Sequence, residues 1–282
     1  MTLPPVFRRR RKDAGSLVGD LSFLIREPAD LYHSQRGQFL SSHQLAEFRR
    51  NCLLFHKKEL GIVKDEDRPA YLIGRAAHML ILEGREVFEQ SYAFGGPVNP
   101  QTGEPFGTRT KAFQEWAEAQ GKPVLSDEQV ALIENMNAAV HAHEHAAALL
   151  SDGVAEGVVR GNYCGVASQA RFDWLSPDRG IVDLKTCDCL DWLQSDARSY
   201  GYVYQLAFYR SLLSRVSGTI VPAYLIAVEK REPFRCGVWR MGDNVLGIAQ
   251  TENEESIQRL KDCRERDHWP TGYENIRVFD WI

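Results

Sequence analysis

Apolar residues recur along the first half of the chain at the three- and four-residue spacing of helices, and along much of the second half at the two-residue spacing of strands. Residues 41–60 (SSHQLAEFRRNCLLFHKKEL) carry the first helical pattern, with Ser41 or Ser42 to cap it and Gly61 to end it. Residues 65–68 read as a charged connector, and Pro69 opens a second helix, PAYLIGRAAHMLILEG, closed by Gly84. The Gly- and Pro-rich stretch 95–108 reads as a loop, and two further helices follow at about 109–120 and 126–150, divided by Gly121 and Pro123. Near residue 154 the period changes, and VAEGVVRGNY, CGVASQARFDWL and GIVDLKT read as strands. Ser176-Pro177-Asp178-Arg179-Gly180 makes the turn between the last two. A long helix over about 189–216, the strands VPAYLIAVEK and FRCGVWRMG, and a polar helix over 243–266 complete the pattern, with no internal repeat or low-complexity block. The order predicts an α/β fold with a mixed central sheet flanked by helices. The expected organisation is a basic tail over 1–20 and one domain over 21–282, with a helical N-terminal part at 41–150 and a catalytic β-hairpin core at 154–240.

Side chains alternate faces along a strand. In VASQARFDWL, Val166, Ser168, Ala170 and Phe172 share one face, which should meet the core, while Gln169, Arg171 and Asp173 share the other, which should line a cleft. In GIVDLKT, Asp183 and Lys185 point the same way, and Val182 and Leu184 point into the core. The short turn makes these strands a hairpin, so Asp173 and Asp183 can lie side by side. Two adjacent carboxylates repel unless a cation neutralises them. Hard oxygen ligands of this kind suit Mg²⁺ or Mn²⁺. Lys185 reaches the same cleft, where it can orient an attacking water or steady the charge building on a phosphate. A salt-bridged surface hairpin would carry the same bare D-x-K, which is short and common.

Composition adjusts this picture only slightly. The chain has 282 residues, 44% hydrophobic and 26% charged, which is ordinary for a folded protein. A net charge of −4 counts against non-specific nucleic-acid binding by the whole surface, but leaves room for a locally basic cleft. The six cysteines, at 52, 164, 187, 189, 236 and 263, contain no C-x-x-C pair, which argues against a zinc ribbon or a cysteine-ligated cluster. No apolar run reaches membrane-spanning length and no secretory signal is visible, so a cytoplasmic protein with reduced thiols is expected. The run Arg8-Arg9-Arg10-Arg11-Lys12 reads as a solvated, disordered arm, or alternatively as a phosphate-binding arm.

Four segments carry a family resemblance. The Asp followed about ten positions later by an apolar-Asp-apolar-Lys strand resembles the core of the PD-(D/E)XK nucleases, and the chain is most similar to the RecE-type exonucleases (exodeoxyribonuclease VIII) of phages and prophages. LSSHQLAEFRRNCLLFHKKELG is similar to the opening helix of that family, YLIGRAAHMLILEG to its G-x-A-x-H helix, SQARFDWLSPDRGIVDLKT to its R-x-D…D-x-K-T hairpin, and YVYQLAFYRSLL to its Q-x-x-x-Y helix. The resemblance runs from about residue 30 to 270 and includes the late HWP. It implies a restriction-endonuclease-like fold with His78, Asp173, Asp183 and the backbone carbonyl of Leu184 as metal ligands, and Asp173, Asp183 and Lys185 as the catalytic set. Arg171, Gln205 and Tyr209 would be cleft or DNA-binding residues, and Thr186 would cap the following loop or hydrogen-bond a phosphate. Glu156, on the first strand, is a further acidic candidate near the metal. Phe172 stands where the family often has Pro before its Asp. The implied activity is Mg²⁺-dependent exonucleolytic hydrolysis of linear duplex DNA, 5′→3′, in phage-type recombination inside a bacterial host. Mn²⁺ would substitute, and a single-strand annealing protein and a homo-oligomeric ring are the implied partners. A nicking or structure-specific endonuclease of the same fold, and a catalytically silent DNA-binding or assembly protein, are the alternatives.

Overall fold

The structure, a computed structural model, describes residues 21–64 and 70–280. The basic tail and the 65–68 connector with Pro69 lie outside the described residues. Helices α1 (Ala29–Ser34), α2 (Ser42–Arg50), α3 (Cys52–Glu59), α4 (Ala70–His78) and α5 (Arg85–Ser91) come first. Short strands β1 (Ala93–Phe94) and β2 (Val124–Leu125) pair in parallel, with α6 (Lys111–Gln120) between them, and α7 (Asp127–Ala142) and α8 (Glu144–Leu149) follow. The main sheet then begins with β3 (Val154–Tyr163), β4 (Val166–Ser176) and β5 (Gly180–Cys187). Helices α9 (Leu193–Ser199) and α10 (Tyr202–Ser217) lead to β6 (Ala223–Glu229), β7 (Cys236–Arg240) and the closing helix α11 (Asp243–Arg266).

Among the described residues the main sheet has five strands in the order β3-β4-β5-β6-β7, antiparallel except for the parallel β5–β6 pair, which is the mixed sheet that the pattern predicts. A parallel strand with both faces covered reads as a continuous apolar run, and every residue of β6 is buried. One face packs Phe172, Ile181 and Ala223 against Phe48, Phe208 and Leu212 of α2 and α10 and Leu260 of α11. The other packs Val182, Leu184 and Ile226 against Ala76 and Ala77 of α4 and Ile133 and Met136 of α7.

Several predicted helices are interrupted, each at a residue whose side chain offers the backbone another partner or whose backbone turns left-handed. The 41–60 pattern breaks at Asn51, whose side chain accepts the Leu54 N–H (2.9 Å) and starts α3. Its first cap is Ser41, in a capping box with Gln44. The 126–150 pattern breaks at His143, which accepts the Ala146 N–H at 3.3 Å. The 189–216 pattern is a short 3₁₀ turn, α9 and α10, with Gly201 at φ +74 before α10. Helices α1 and α5 and the β1–β2 pair are additions to what the periodicity indicates.

Two turns set the registers that matter for the site. Cys164 and Gly165, both with positive φ, form a two-residue hairpin loop between β3 and β4. The pairs Ala155↔Trp174 and Gly157↔Phe172 then put Glu156 across from Asp173. Between β4 and β5, the Ser176 hydroxyl accepts the Arg179 N–H (3.2 Å), and Gly180 takes φ +95. A Cβ there would come 2.3 Å from the carbonyl oxygen of Pro222, so only glycine fits.

Candidate active site

Strand β4 pairs with β5 only through residues 174–176. One step further the ladder would set Asp173 against Asp183. Instead the two strands part, and the Leu184 N–H donates to Asp173 Oδ2 at 2.8 Å. The gap turns a backbone pairing position into a carboxylate position at the point where β4 leaves β5. One edge of β4 is held along its length by β3, and on the opposite edge Leu40, just ahead of α2, exchanges backbone hydrogen bonds with Ala167 and Gln169.

Asp183 and Lys185 share a face of β5, as alternation predicts, and Lys185 Nζ lies 2.6 Å from Asp183 Oδ2. Asp183 is 1% exposed and Lys185 18%. Among the described residues neither Asp183 oxygen receives a hydrogen bond of good geometry, and the Lys185 ammonium group is the cation beside these two buried acceptors. His78 closes the regular part of α4, where the chain widens into a π turn over Met79–Glu83. Such widened turns often mark functional positions. Its Nδ1 is 3.6 Å from Asp173 Oδ2. His78, Glu156 and Asp173 offer ligand atoms that all lie within 4.8 Å of one another. Arg171 is tied to Glu156 by a 2.6 Å ion pair.

The protonation equilibria follow from this crowding. Burial, with Lys185 adding to it, holds His78 down to about 4, so the imidazole is neutral and able to ligate. Burial lifts Asp183 to about 6 even though Lys185 works in the opposite direction. Burial, with Asp173 as the next cause, lifts Glu156 to about 8. Asp173 is raised by burial as well. Burial works to lower Lys185, but Asp183 and then Asp173 outweigh it and the amine ends above its ordinary value. Carboxylates pushed together so far from their ordinary range are what a divalent cation would neutralise, and oxygen donors with one imidazole suit Mg²⁺ or Mn²⁺. The convergent His78, Glu156 and Asp173 therefore fit such an ion; Asp183 is not part of that close group but interacts electrostatically with both His78 and Asp173.

The remaining expected residues divide. Arg171 reaches the cluster through Glu156. Gln205 donates to the Tyr209 hydroxyl at 3.0 Å, and Tyr209 is buried with its ring 5.2 Å from Phe172, forming the wall under the two aspartates. Gln169, expected in the cleft, is instead buried and donates to the Tyr32 carbonyl, because the segment around α1 covers that part of β4. Thr186 faces α4, with its hydroxyl 3.7 Å from where a Cβ on Gly74 would sit. Three nearby groups escape a reading by motif. Glu83, in the π turn, acts electrostatically on Glu156 and feels Arg171. His43, on the first turn of α2, is lowered by partial desolvation and then by Lys185. The Tyr202 ring centroid lies 5.1 Å from Lys185 Nζ. Position in sequence marks none of these three, since each arrives from a different helix.

A five-stranded mixed sheet with helices on both faces, an acidic pair where two strands part, and a lysine one strand repeat beyond define a restriction-endonuclease-like core. The chain belongs to the family described as PDDEXK-like domain of unknown function (DUF3799), which it matches over residues 41–280. The fold is shared with a candidate exonuclease from Eubacterium rectale, at 16% identity and a TM-score of 0.65, covering 92% of this chain and 97% of that one. An alkaline exonuclease from Laribacter hongkongensis is similar at 14% identity and a TM-score of 0.29, over 57% of this chain and 85% of that one. Comparison with curated proteins finds no match. Among the described residues no helix is long and apolar enough to cross a membrane.

Proposed function

We propose that this protein is a divalent-metal-dependent deoxyribonuclease that hydrolyses linear duplex DNA from an end. The observation that carries the reading is the His78–Glu156–Asp173 cluster beside the buried Asp183 carboxylate, which is paired with Lys185 and has no other hydrogen bond among the described residues. Asp173, Asp183, Glu156, His78 and the Leu184 carbonyl would hold the ion, with Mg²⁺ the working metal and Mn²⁺ a substitute. Held there, it would polarise a phosphodiester and make nearby water more acidic. Lys185, fixed by Asp183, presents an ammonium group to the same space, where it orients the attacking water or stabilises the charge that develops on the phosphate. Arg171 braces Glu156, and Gln205 and Tyr209 form a stiff wall that keeps the aspartates in place.

The resemblance to RecE-type exonucleases supports 5′→3′ polarity, a place in phage-type recombination beside a single-strand annealing protein, and a ring-shaped homo-oligomer. The test is end-labelled linear duplex against covalently closed circular DNA, each with Mg²⁺ or EDTA. Loss of linear DNA with Mg²⁺ alone, and survival of the circles, is the expected result. Rapid cutting of closed circles would replace the exonuclease reading with an endonuclease of the same fold. No hydrolysis of either substrate would favour a silent binding protein.

A further inference from the structure

The junction between α9 and α10 reads Tyr200-Gly201-Tyr202. Gly201, at φ +74, lets the chain swing from one helix into the next, so the two tyrosines come to the same side. Tyr202 is partly buried against the small cluster of Cys187, Leu193 and Leu225, at the end of β5 beyond Lys185. Its ring centroid is 5.1 Å from Lys185 Nζ, within the range of a cation–π contact. The Tyr200 ring stacks on Tyr202, with centroids 5.9 Å apart and planes 24° apart. Tyr200 itself is 64% exposed. Neither hydroxyl makes a hydrogen bond among the described residues. The result is a short ladder of rings that starts on the active-site lysine and ends in solvent. Packing explains Tyr202, whereas the outer ring lies largely in solvent, stacked on Tyr202.

We propose that Tyr200 and Tyr202 form a stacking platform for the nucleobase next to the scissile phosphate. The inference rests on the nuclease reading of the site and extends it to the form of the substrate. A phosphate placed beside Lys185 and Asp183 brings its own nucleotide to the tyrosine ladder. Every base has a π face, so an aromatic platform binds without regard to sequence. A base inside a duplex has both faces occupied by its neighbours. The platform therefore takes a base whose strand has been separated from its complement, and the site works on an unpaired strand end. Tyr200 is a positioning residue, because it meets the base and not the reacting atoms.

The test is a cycle between the ring and the base. Single-stranded oligonucleotides, intact or with one abasic nucleotide moved stepwise from the end, are titrated in Ca²⁺ against wild type, Tyr200→Ala and Tyr200→Phe. Wild type should bind intact DNA about five- to a hundredfold more tightly than DNA abasic at one position near the end. Tyr200→Ala should lose that preference, and Tyr200→Phe should restore it. A merely structural role would weaken intact and abasic DNA equally, and that outcome overturns the platform. Equal binding of intact and abasic DNA by a wild-type protein that still degrades linear DNA in Mg²⁺ also overturns it, while leaving the nuclease reading intact. Wild-type protein that neither binds nor hydrolyses DNA removes both.

Discussion

Lysine 185 should matter in opposite ways to chemistry and to metal binding. Its Nζ is 2.6 Å from Asp183 Oδ2, and Asp183 is 1% exposed with no hydrogen bond of good geometry to either oxygen. Lys185→Ala therefore leaves a buried carboxylate without compensation. Breaking a buried pair in this way costs about 3–5 kcal/mol when the survivor stays charged. Protonation of Asp183, already lifted to about 6 by burial despite the lysine, offsets part of that cost below neutral pH. In EDTA at pH 8 the variant should melt on the order of 10 °C below wild type. Added Mn²⁺ should recover most of the difference, because a divalent cation supplies the charge that the lysine supplied. Calorimetric titration should show Mn²⁺ binding at least as tightly as to wild type, since no ammonium group competes for Asp183. Cleavage of linear DNA in Mg²⁺ should still fall by about 10²–10³, the usual loss for one preorganised charge-stabilising group. Near-wild-type cleavage would remove Lys185 from the mechanism. Loss of Mn²⁺ binding would show that the lysine organises the carboxylates and does not compete for them.

Three further outcomes follow from the same geometry. Glu156, raised to about 8 in the fold, binds its proton more tightly folded than unfolded, so its contribution is present below its unfolded pKa and is lost as pH rises toward 8. The rise of Asp183 is complete by about 6, and His78, lowered to about 4, acts with the opposite sign only below its ordinary value of 6.5. From pH 6.5 to 8 the metal-free protein should therefore lose stability with a slope of up to about 1.4 kcal/mol per pH unit, and Glu156→Gln should flatten that slope in urea denaturation. A variant with the wild-type slope would place the titration elsewhere. Gly180→Ala, which drives a Cβ to 2.3 Å from the Pro222 carbonyl at φ +95, should lower stability by at least about 2 kcal/mol, measured by urea unfolding, and weaken metal binding by shifting β5. Ser126→Ala breaks the capping box at the start of α7 and should cost about 1 kcal/mol by the same measurement with catalysis unchanged; a loss of activity would tie α7 to the site.

The arrangement of the hairpin side chains was legible because it depends on local rules. Alternation put Asp183 and Lys185 on one face of β5 and Val182 and Leu184 on the other, and the cores receive them accordingly. Glu156 was also within reach of counting. A two-residue turn at Cys164-Gly165 fixes the pairing of β3 with β4 and sets Glu156 across from Asp173, but the turn has Cys where Asn or Asp would announce it. The parting of β4 from β5 at Asp173 was not legible, because it depends on a side chain replacing a carbonyl as the acceptor of the Leu184 N–H. Gln169 was misplaced for a similar reason: alternation says which face it occupies, not that the α1 segment covers that face. His43, Glu83 and Tyr202 reach the site from three separate helical segments, and only tertiary packing brings them there.

The proposed metal site can be tested by diffraction from Mn²⁺-soaked crystals at the manganese absorption edge. An anomalous peak is expected in the space bounded by Asp173, Asp183, Glu156 and His78, with carboxylate oxygens at about 2.0–2.6 Å. The peak should be lost in Asp173→Asn crystals. A fully occupied peak elsewhere, or none at this cluster at Mn²⁺ concentrations that support cleavage, would contradict the proposed site.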